Sequence, residues 1–136
     1  MVINPMINAM PNVEPRDMSR FTYLTDSLPN LIIQLLIVWI TAAFLEEFLY
    51  RGYLLNRLID LQGRQTALAW IIAVAGQALV FGLAHAYQGP VGVLKTGAIG
   101  LVFGFSYLAV GRNLWPLIIA HGLIDSIDMV THYFGG

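Results

Sequence analysis

A small set of ionisable residues lies inside the hydrophobic segments of this chain, where charged side chains are costly. A charged residue at the centre of a bilayer costs about 2.5–3.5 kcal/mol on insertion scales, so four without partners would cost on the order of 10 kcal/mol. Glu47 and Arg51 are four residues apart, so on a helix they share a face and can pair. Glu46 points about 100° away from Glu47 and has no partner within the helix. The whole set is Glu46, Glu47, Arg51, His85, His121 and Asp125.

These residue types suit the hydrolysis of a peptide bond. That reaction needs a base that activates water, a group that holds the water, and a donor for the oxyanion that develops on the carbonyl oxygen. Glu46 is the preferred base, because the helix supplies no structural partner for it. His85 can hold the same water and later hand a proton to the leaving amine. His121 can donate to the oxyanion.

The remaining residues of the set have supporting roles. Asp125 lies four residues after His121, on the same helix face. Because an ionised carboxylate cannot donate to an oxyanion, Asp125 is either neutral or orients His121. For Glu47 and Arg51 we prefer a structural ion pair that neutralises two costly charges. Phe81, four residues before His85, is interpreted as packing under the site.

The composition indicates a membrane protein. Only 11% of the 136 residues are charged, whereas soluble domains carry about 25%. A net charge of −1 argues against a nucleic-acid-binding protein. The absence of cysteine excludes disulfide scaffolds, thiol nucleophiles and zinc sites with cysteine ligands.

The spacing of the charges predicts an all-α, multi-pass bundle of about four spanning helices. A spanning helix needs roughly 20 mostly apolar residues, and glycine-rich or polar turns separate the segments. Gly100 and Gly104 form a GxxxG spacing that lets another backbone approach closely, within the bundle or in a homo-oligomer. Residues 1–28 are predicted to be a polar amino-terminal segment. The uncharged runs are 27–45, 65–94, 96–111 and 113–124, and the turns are expected at 63–66, 88–90 and 111–113.

A register estimate tests whether the ionisable residues can meet. If the first turn centres on residues 64–65, antiparallel pairing brings His85 within one turn of the depth of Glu46. His121 lies roughly 13 Å past the turn that precedes its helix. Glu46 lies ~28 Å from the turn at the same end of the bundle. Straight helices that begin at one level therefore predict a gap between His121 and Glu46. A tilt, a broken helix or an earlier start of the fourth helix would be needed to close it.

Three motifs in order resemble those of the CPBP intramembrane proteases, also called the Abi family, which includes the type II CAAX prenyl endopeptidases. They are Glu46-Glu47-x-x-x-Arg51, Phe81-x-x-x-His85 and His121-x-x-x-Asp125. The resemblance covers residues 40–130 and identifies 29–134 as a CPBP-like membrane core. It implies catalytic roles for Glu46, His85 and His121 and a supporting role for Glu47 with Arg51. The prenyl endopeptidases typically have Asn at the position of Asp125. Many members also have additional helices, so the resemblance implies either a minimal version or part of a longer protein.

Several alternatives remain at this point. Glu46, His85, His121 and Asp125 match the ligand preferences of zinc, and the family has been interpreted both as metal-dependent and as metal-free. We prefer no metal, because the charge of Arg51 disfavours a nearby cation. A non-catalytic scaffold or a bacteriocin self-immunity protein would use the same polar residues to lock the helices together. A proton or ion carrier is a third alternative, which a fixed Glu47–Arg51 pair argues against. As an enzyme in a prokaryotic cell membrane, the protein would cleave a peptide or protein substrate at the bilayer surface.

Overall fold

The computed structural model describes Asp17, Ser19 and residues 27–135, and these residues form helices joined by short turns. Most of the predicted polar segment 1–28 therefore lies outside the described residues. The long helices are α1 (Leu28–Gln62), α2 (Ala67–Ala84), α3 (Gly89–Ala109) and α4 (Trp115–Gly135), with a 3₁₀ turn, Ala86–Gln88, before α3. The all-α prediction is confirmed.

Local sequence signals set the helix ends. The Ser27 side chain accepts a hydrogen bond from the Asn30 amide at 3.4 Å, so α1 begins at Leu28, slightly before the apolar run. Gly63 adopts a left-handed conformation with φ 63° and ends α1. Thr66 caps α2 by accepting from the Ala69 amide at 3.2 Å. The turns at 63–66 and 111–113 lie where predicted, whereas the second turn occupies 85–88 and α3 already begins at Gly89.

Among the described residues, three helical segments are long and apolar enough to cross a membrane, as judged by length and composition. They are Leu28–Gln62, Ala67–Ala84 and Ala86–Ala109. Helix α4 is not among them, and it is the helix that contains His121, Asp125 and Asp128. Large apolar side chains on the spanning helices face outward, with Leu36, Leu79 and Val102 each more than 60% exposed. Lipid is the environment that can cover so much apolar surface.

Glycines bring α2 and α3 into close contact. A Cβ atom on Gly100 would lie 3.0 Å from the Ala78 Cα, and one on Gly82 would lie 3.1 Å from the Gly97 Cα. The predicted close approach at Gly100 and Gly104 therefore occurs within the chain, between neighbouring helices. This closely packed pair lies against α1.

Helices α1 and α4 pack antiparallel, with α4 displaced along α1. Leu31 packs on Met129 near one end, and Leu55 shares a core cluster with Leu117 near the other. Helix α1 continues for seven residues beyond Leu55, to Gln62. Helix α4 thus begins well inside the length of α1, its second turn lies beside the middle of α1 at Glu46 and Glu47, and its later turns lie beside the start of α1.

Candidate active site

The middle of α1 is wound as a π-helix over Trp39–Glu46 and again over Phe48–Leu55. Hydrogen bonds from i to i+5 give such a helix more residues per turn, and π-helical turns occur frequently at functional sites. Glu46 ends the first π-helical stretch and Glu47 follows it, and both carboxylates lie within 4 Å of the His121 ring. Glu47 is completely buried, whereas the Glu46 side chain is 29% exposed.

Glu47 and Arg51 form the predicted ion pair. The Arg51 Nη1 donates to Glu47 Oε1 at 2.9 Å, and both side chains are completely buried. The guanidinium lies over the Phe81 ring at 4.6 Å and near the Phe103 ring at 5.4 Å. Aromatic faces attract a cation, so the two rings help to stabilise a buried charge. The packing role expected of Phe81 is thus a specific contact with Arg51, whereas Phe103 carried no signal beyond being apolar.

His121 joins α4 to both glutamates. Its Nδ1 lies 2.7 Å from Glu47 Oε1, and because an ionised carboxylate only accepts, Nδ1–H is the donor. Its Nε2 lies 3.4 Å from Asp125 Oδ2 and 3.9 Å from Glu46 Oε2. The ring is 12% exposed. The four residues therefore form a cluster in which one imidazole is surrounded by three carboxylates, with Arg51 as the balancing cation.

The expected gap between His121 and Glu46 is closed by the displacement of α4. The estimate took the turns before α2 and before α4 to lie at one level. In the structure a Cβ atom on Gly52 would lie 3.0 Å from the Leu114 side chain. Because Leu114 directly precedes α4, this helix starts at the level of Gly52 rather than of Gly63. His121, only two turns further on, then reaches Glu46 and Glu47.

His85 lies beside this cluster and is connected to it through Phe81. The Phe81 ring meets the His85 ring at 4.8 Å and, on another side, the Tyr50 ring at 4.8 Å. His85 Nδ1 lies 2.8 Å from the Phe81 carbonyl oxygen. A carbonyl only accepts, so the proton is on Nδ1 and Nε2 carries the lone pair in the neutral ring. Within the described part of the chain, no hydrogen bond or ion pair joins His85 to Glu46.

The fit of the cluster to a metal ion can be judged from its geometry. Among residues 27–135, no three His, Asp or Glu side chains are arranged to hold a metal ion. The Nδ1 of His121 is already bonded to Glu47, and the buried Arg51 adds a positive charge beside it. As placed, Glu46, His85, His121 and Asp125 do not fit a zinc site.

Two contacts near the cluster have no motif in the sequence. The Trp39 indole nitrogen donates a hydrogen bond to Ser126 Oγ at 3.1 Å, on the turn of α4 that follows His121. Tyr50 lies four residues after Glu46 and packs on Phe81. The sequence offers one signal for these contacts, a spacing of four residues that places two side chains on one helix face. Tyr50 has this spacing from Glu46, and Ser126 has it from Gly122.

Comparison with known proteins identifies the family. Residues 28–127, well over half of the chain, match the family model of the type II CAAX prenyl endopeptidase Rce1-like proteins. No curated protein and no solved structure matches the chain. The matched range contains all of the cluster residues and His85. This family consists of CAAX proteases, and with its three apolar helices the protein is an integral membrane protein. The chain therefore belongs to the Rce1-like family of type II CAAX prenyl endopeptidases.

Proposed function

We propose that the protein is an intramembrane endopeptidase in which Glu46 activates the attacking water. One observation carries this proposal. Glu46 is partly exposed and lies 3.9 Å from the His121 ring, while its neighbour Glu47 is buried and already neutralised by Arg51. A carboxylate that the fold does not use for structure is thus placed beside a hydrogen-bond donor, within reach of water and substrate.

The proposed reaction begins when Glu46 takes a proton from water. The water oxygen bonds to the carbonyl carbon of the substrate, and the carbonyl electron pair moves onto its oxygen. In this proposal the His121 ring carries a proton on both nitrogens, and its Nε2–H, which faces Asp125 Oδ2 at 3.4 Å in the resting site, is shared with the oxyanion. The intermediate then collapses, the C–N bond breaks, and the proton taken by Glu46 ends on the leaving amine.

His85 and Asp125 assist in different ways in this proposal. His85 relays the proton to the amine through Nε2, since its Nδ1–H is bonded to the Phe81 carbonyl. Asp125 acts through His121, because its Oδ2 lies 3.4 Å from His121 Nε2. Of the two expected roles for Asp125, orientation of the ring therefore has the better support.

A metal-free reaction is part of the proposal. Glu47 Oε1 already has two partners, the Arg51 guanidinium and the His121 ring. A divalent cation would have to compete with Arg51 for the same carboxylates. Direct activation of water by Glu46 avoids this competition.

The proposed substrate is a peptide or protein tail that reaches the site at the bilayer surface. The name of the family suggests prenylated tails ending in a C-a-a-X sequence. A farnesylated C-a-a-X peptide and the same peptide without the lipid separate the two substrate classes. Cleavage of the farnesylated peptide alone would assign the prenylated class, and cleavage of both would assign tails in general.

The decisive experiment compares membranes containing the wild type with membranes containing Glu46→Gln, at matched expression. Peptides released from host membranes are identified by mass spectrometry. Asp128→Asn serves as the control, because this carboxylate is exposed on α4 and outside the cluster. Fragments that require Glu46 but not Asp128 would support the protease. Identical profiles from three folded proteins would favour the scaffold or self-immunity role instead.

A further inference from the structure

A contact between α1 and α4 lies next to the cluster and belongs to none of the three motifs. The indole nitrogen of Trp39 donates a hydrogen bond to Ser126 Oγ at 3.1 Å. The Ser126 hydroxyl in turn donates to the Gly122 carbonyl oxygen at 2.6 Å. We refer to Trp39, Gly122 and Ser126 together as the indole contact.

Gly122 allows the indole to lie directly on the backbone of α4. A Cβ atom at this position would lie 2.7–2.8 Å from three carbon atoms of the Trp39 ring, closer than real side chains approach. Trp39 therefore meets α4 in two ways, by ring contact at Gly122 and by a hydrogen bond at Ser126. Two attachment points one turn apart define the rotation of α4 about its axis, which one point would not.

The spacing along α4 links this rotation to the site. Gly122 and Ser126 each directly follow a cluster residue, His121 and Asp125 respectively. The two pairs therefore lie on adjacent faces of the same helical turn, about 100° apart. A contact that fixes the rotation of α4 at Gly122 and Ser126 therefore also fixes the direction in which the His121 and Asp125 side chains leave the helix.

We propose that Trp39 and Ser126 are positioning residues, which hold the His121 ring against Glu47 and beside Glu46. This inference rests on the proposed function, because that function gives His121 its role toward the oxyanion. The bond from His121 Nδ1 to Glu47 Oε1, 2.7 Å long, joins α4 to α1, so a rotation of α4 that carries the ring away from Glu47 lengthens it. Trp39 lies eight residues before Glu47 on the same helix. A movement of α4 relative to Trp39 is therefore also a movement relative to Glu47.

The test reads the position of His121 without requiring activity. The chain has three histidines, so protein labelled with ¹⁵N-histidine in detergent micelles gives a simple imidazole spectrum. A Nδ1 proton bonded to a buried carboxylate exchanges slowly and resonates far downfield. Its loss in His121→Asn assigns the signal, and far-UV circular dichroism shows whether each variant is folded.

Trp39→Phe and Ser126→Ala each remove one partner of the hydrogen bond and keep most of the packing. We expect both to broaden or abolish the His121 signal, and the double variant to do no more than either single one, since all break the same bond. Thr131→Ala is the matched control. Thr131 also donates its hydroxyl to a carbonyl one turn back on α4, that of Ile127 at 2.8 Å, but it is exposed and outside the indole contact.

Kinetics on the farnesylated C-a-a-X peptide provide the second readout. Misplacement of His121 should lower kcat by roughly tenfold to a hundredfold and leave KM nearly unchanged. An unchanged His121 signal in folded Trp39→Phe and Ser126→Ala would overturn the inference, even if kcat fell. If the signal responds but Glu46→Gln still cleaves the peptide, the proposed function fails and the positioning of His121 stands.

Discussion

Removal of the positive charge at Arg51 tests whether the Glu47–Arg51 pair stabilises the fold. In Arg51→Met the new side chain still fills the space between the Phe81 and Phe103 rings, but Glu47 loses its cation. Both members of the pair are completely buried and their charged atoms are 2.9 Å apart. Breaking one partner of a buried pair costs about 3–5 kcal/mol, because a charge is left without compensation. We expect a loss of this size in the free energy of unfolding.

A matched pair on the same helix provides the comparison. Arg57 and Asp60 are joined at 3.2 Å, nearly the same distance, but their side chains are 58% and 57% exposed. Exposed pairs contribute about 0–1 kcal/mol, so Arg57→Met should change the stability by no more than that. Because the distances are alike, burial is the variable that separates the two substitutions.

Unfolding of both variants can be followed by circular dichroism as a denaturing detergent is added to micelles of a mild one. The double variant Glu47→Gln/Arg51→Met should recover part of the loss, since no charge is then left unpaired. Equal losses in Arg51→Met and Arg57→Met would refute the reasoning. So would a double variant that is less stable than Arg51→Met alone, because it would show that the missing partner of Glu47 was not the cause.

Three further outcomes are expected. Asp125→Asn should keep at least about a tenth of the activity on the farnesylated peptide, because an amide oxygen can still accept from His121, whereas Asp125→Leu should lose far more. Prolonged incubation with a chelator should leave the cleavage rate unchanged, and inhibition that added zinc reverses would contradict the metal-free reaction. Gly100→Ala should lower the free energy of unfolding by roughly 1–3 kcal/mol, since its Cβ would lie 3.0 Å from a backbone atom of α2. Gly97→Ala has 3.7 Å of space and should be nearly neutral in the same detergent titration.

Much of the fold follows from local patterns. Uncharged runs locate the helices, because a charged residue inside lipid is costly wherever it lies. The i, i+4 spacing of Glu47 and Arg51 predicts their pairing, because both residues are on one helix and only its winding matters. A close approach of another helix to α3 likewise follows from Gly100 and Gly104, and the structure identifies that helix as α2. Each of these predictions depends on neighbours in the chain.

The meeting of α1 with α4 depends instead on the level at which each helix starts. Hydrophobic periodicity gives the face of a helix but not its displacement along a neighbour, so the estimate placed His121 too far from Glu46. The displacement is set by specific contacts, such as Leu117 with Leu55 and Trp39 with Gly122. An ordinary apolar residue and a glycine carry no sign of such partners in the sequence. The π-helical winding of α1 also has no local signature there.

Glu46 and Glu47 are adjacent but have different surroundings. The proposed reaction needs one buried carboxylate for structure and one partly exposed carboxylate as the base, and a single residue cannot be both. A group that holds His121 and neutralises Arg51 must be buried and in contact with both, as Glu47 is through Oε1. A base must instead be able to receive a proton from water, which requires some exposure and a free oxygen. Successive positions on a helix point in different directions, so the residue next to Glu47 is turned toward the edge of the cluster while staying near the same imidazole. In the proposed reaction, two neighbouring glutamates on one helix thus divide structure and chemistry between them, and His121, close to both, would couple the stability of the buried pair to the geometry of the base.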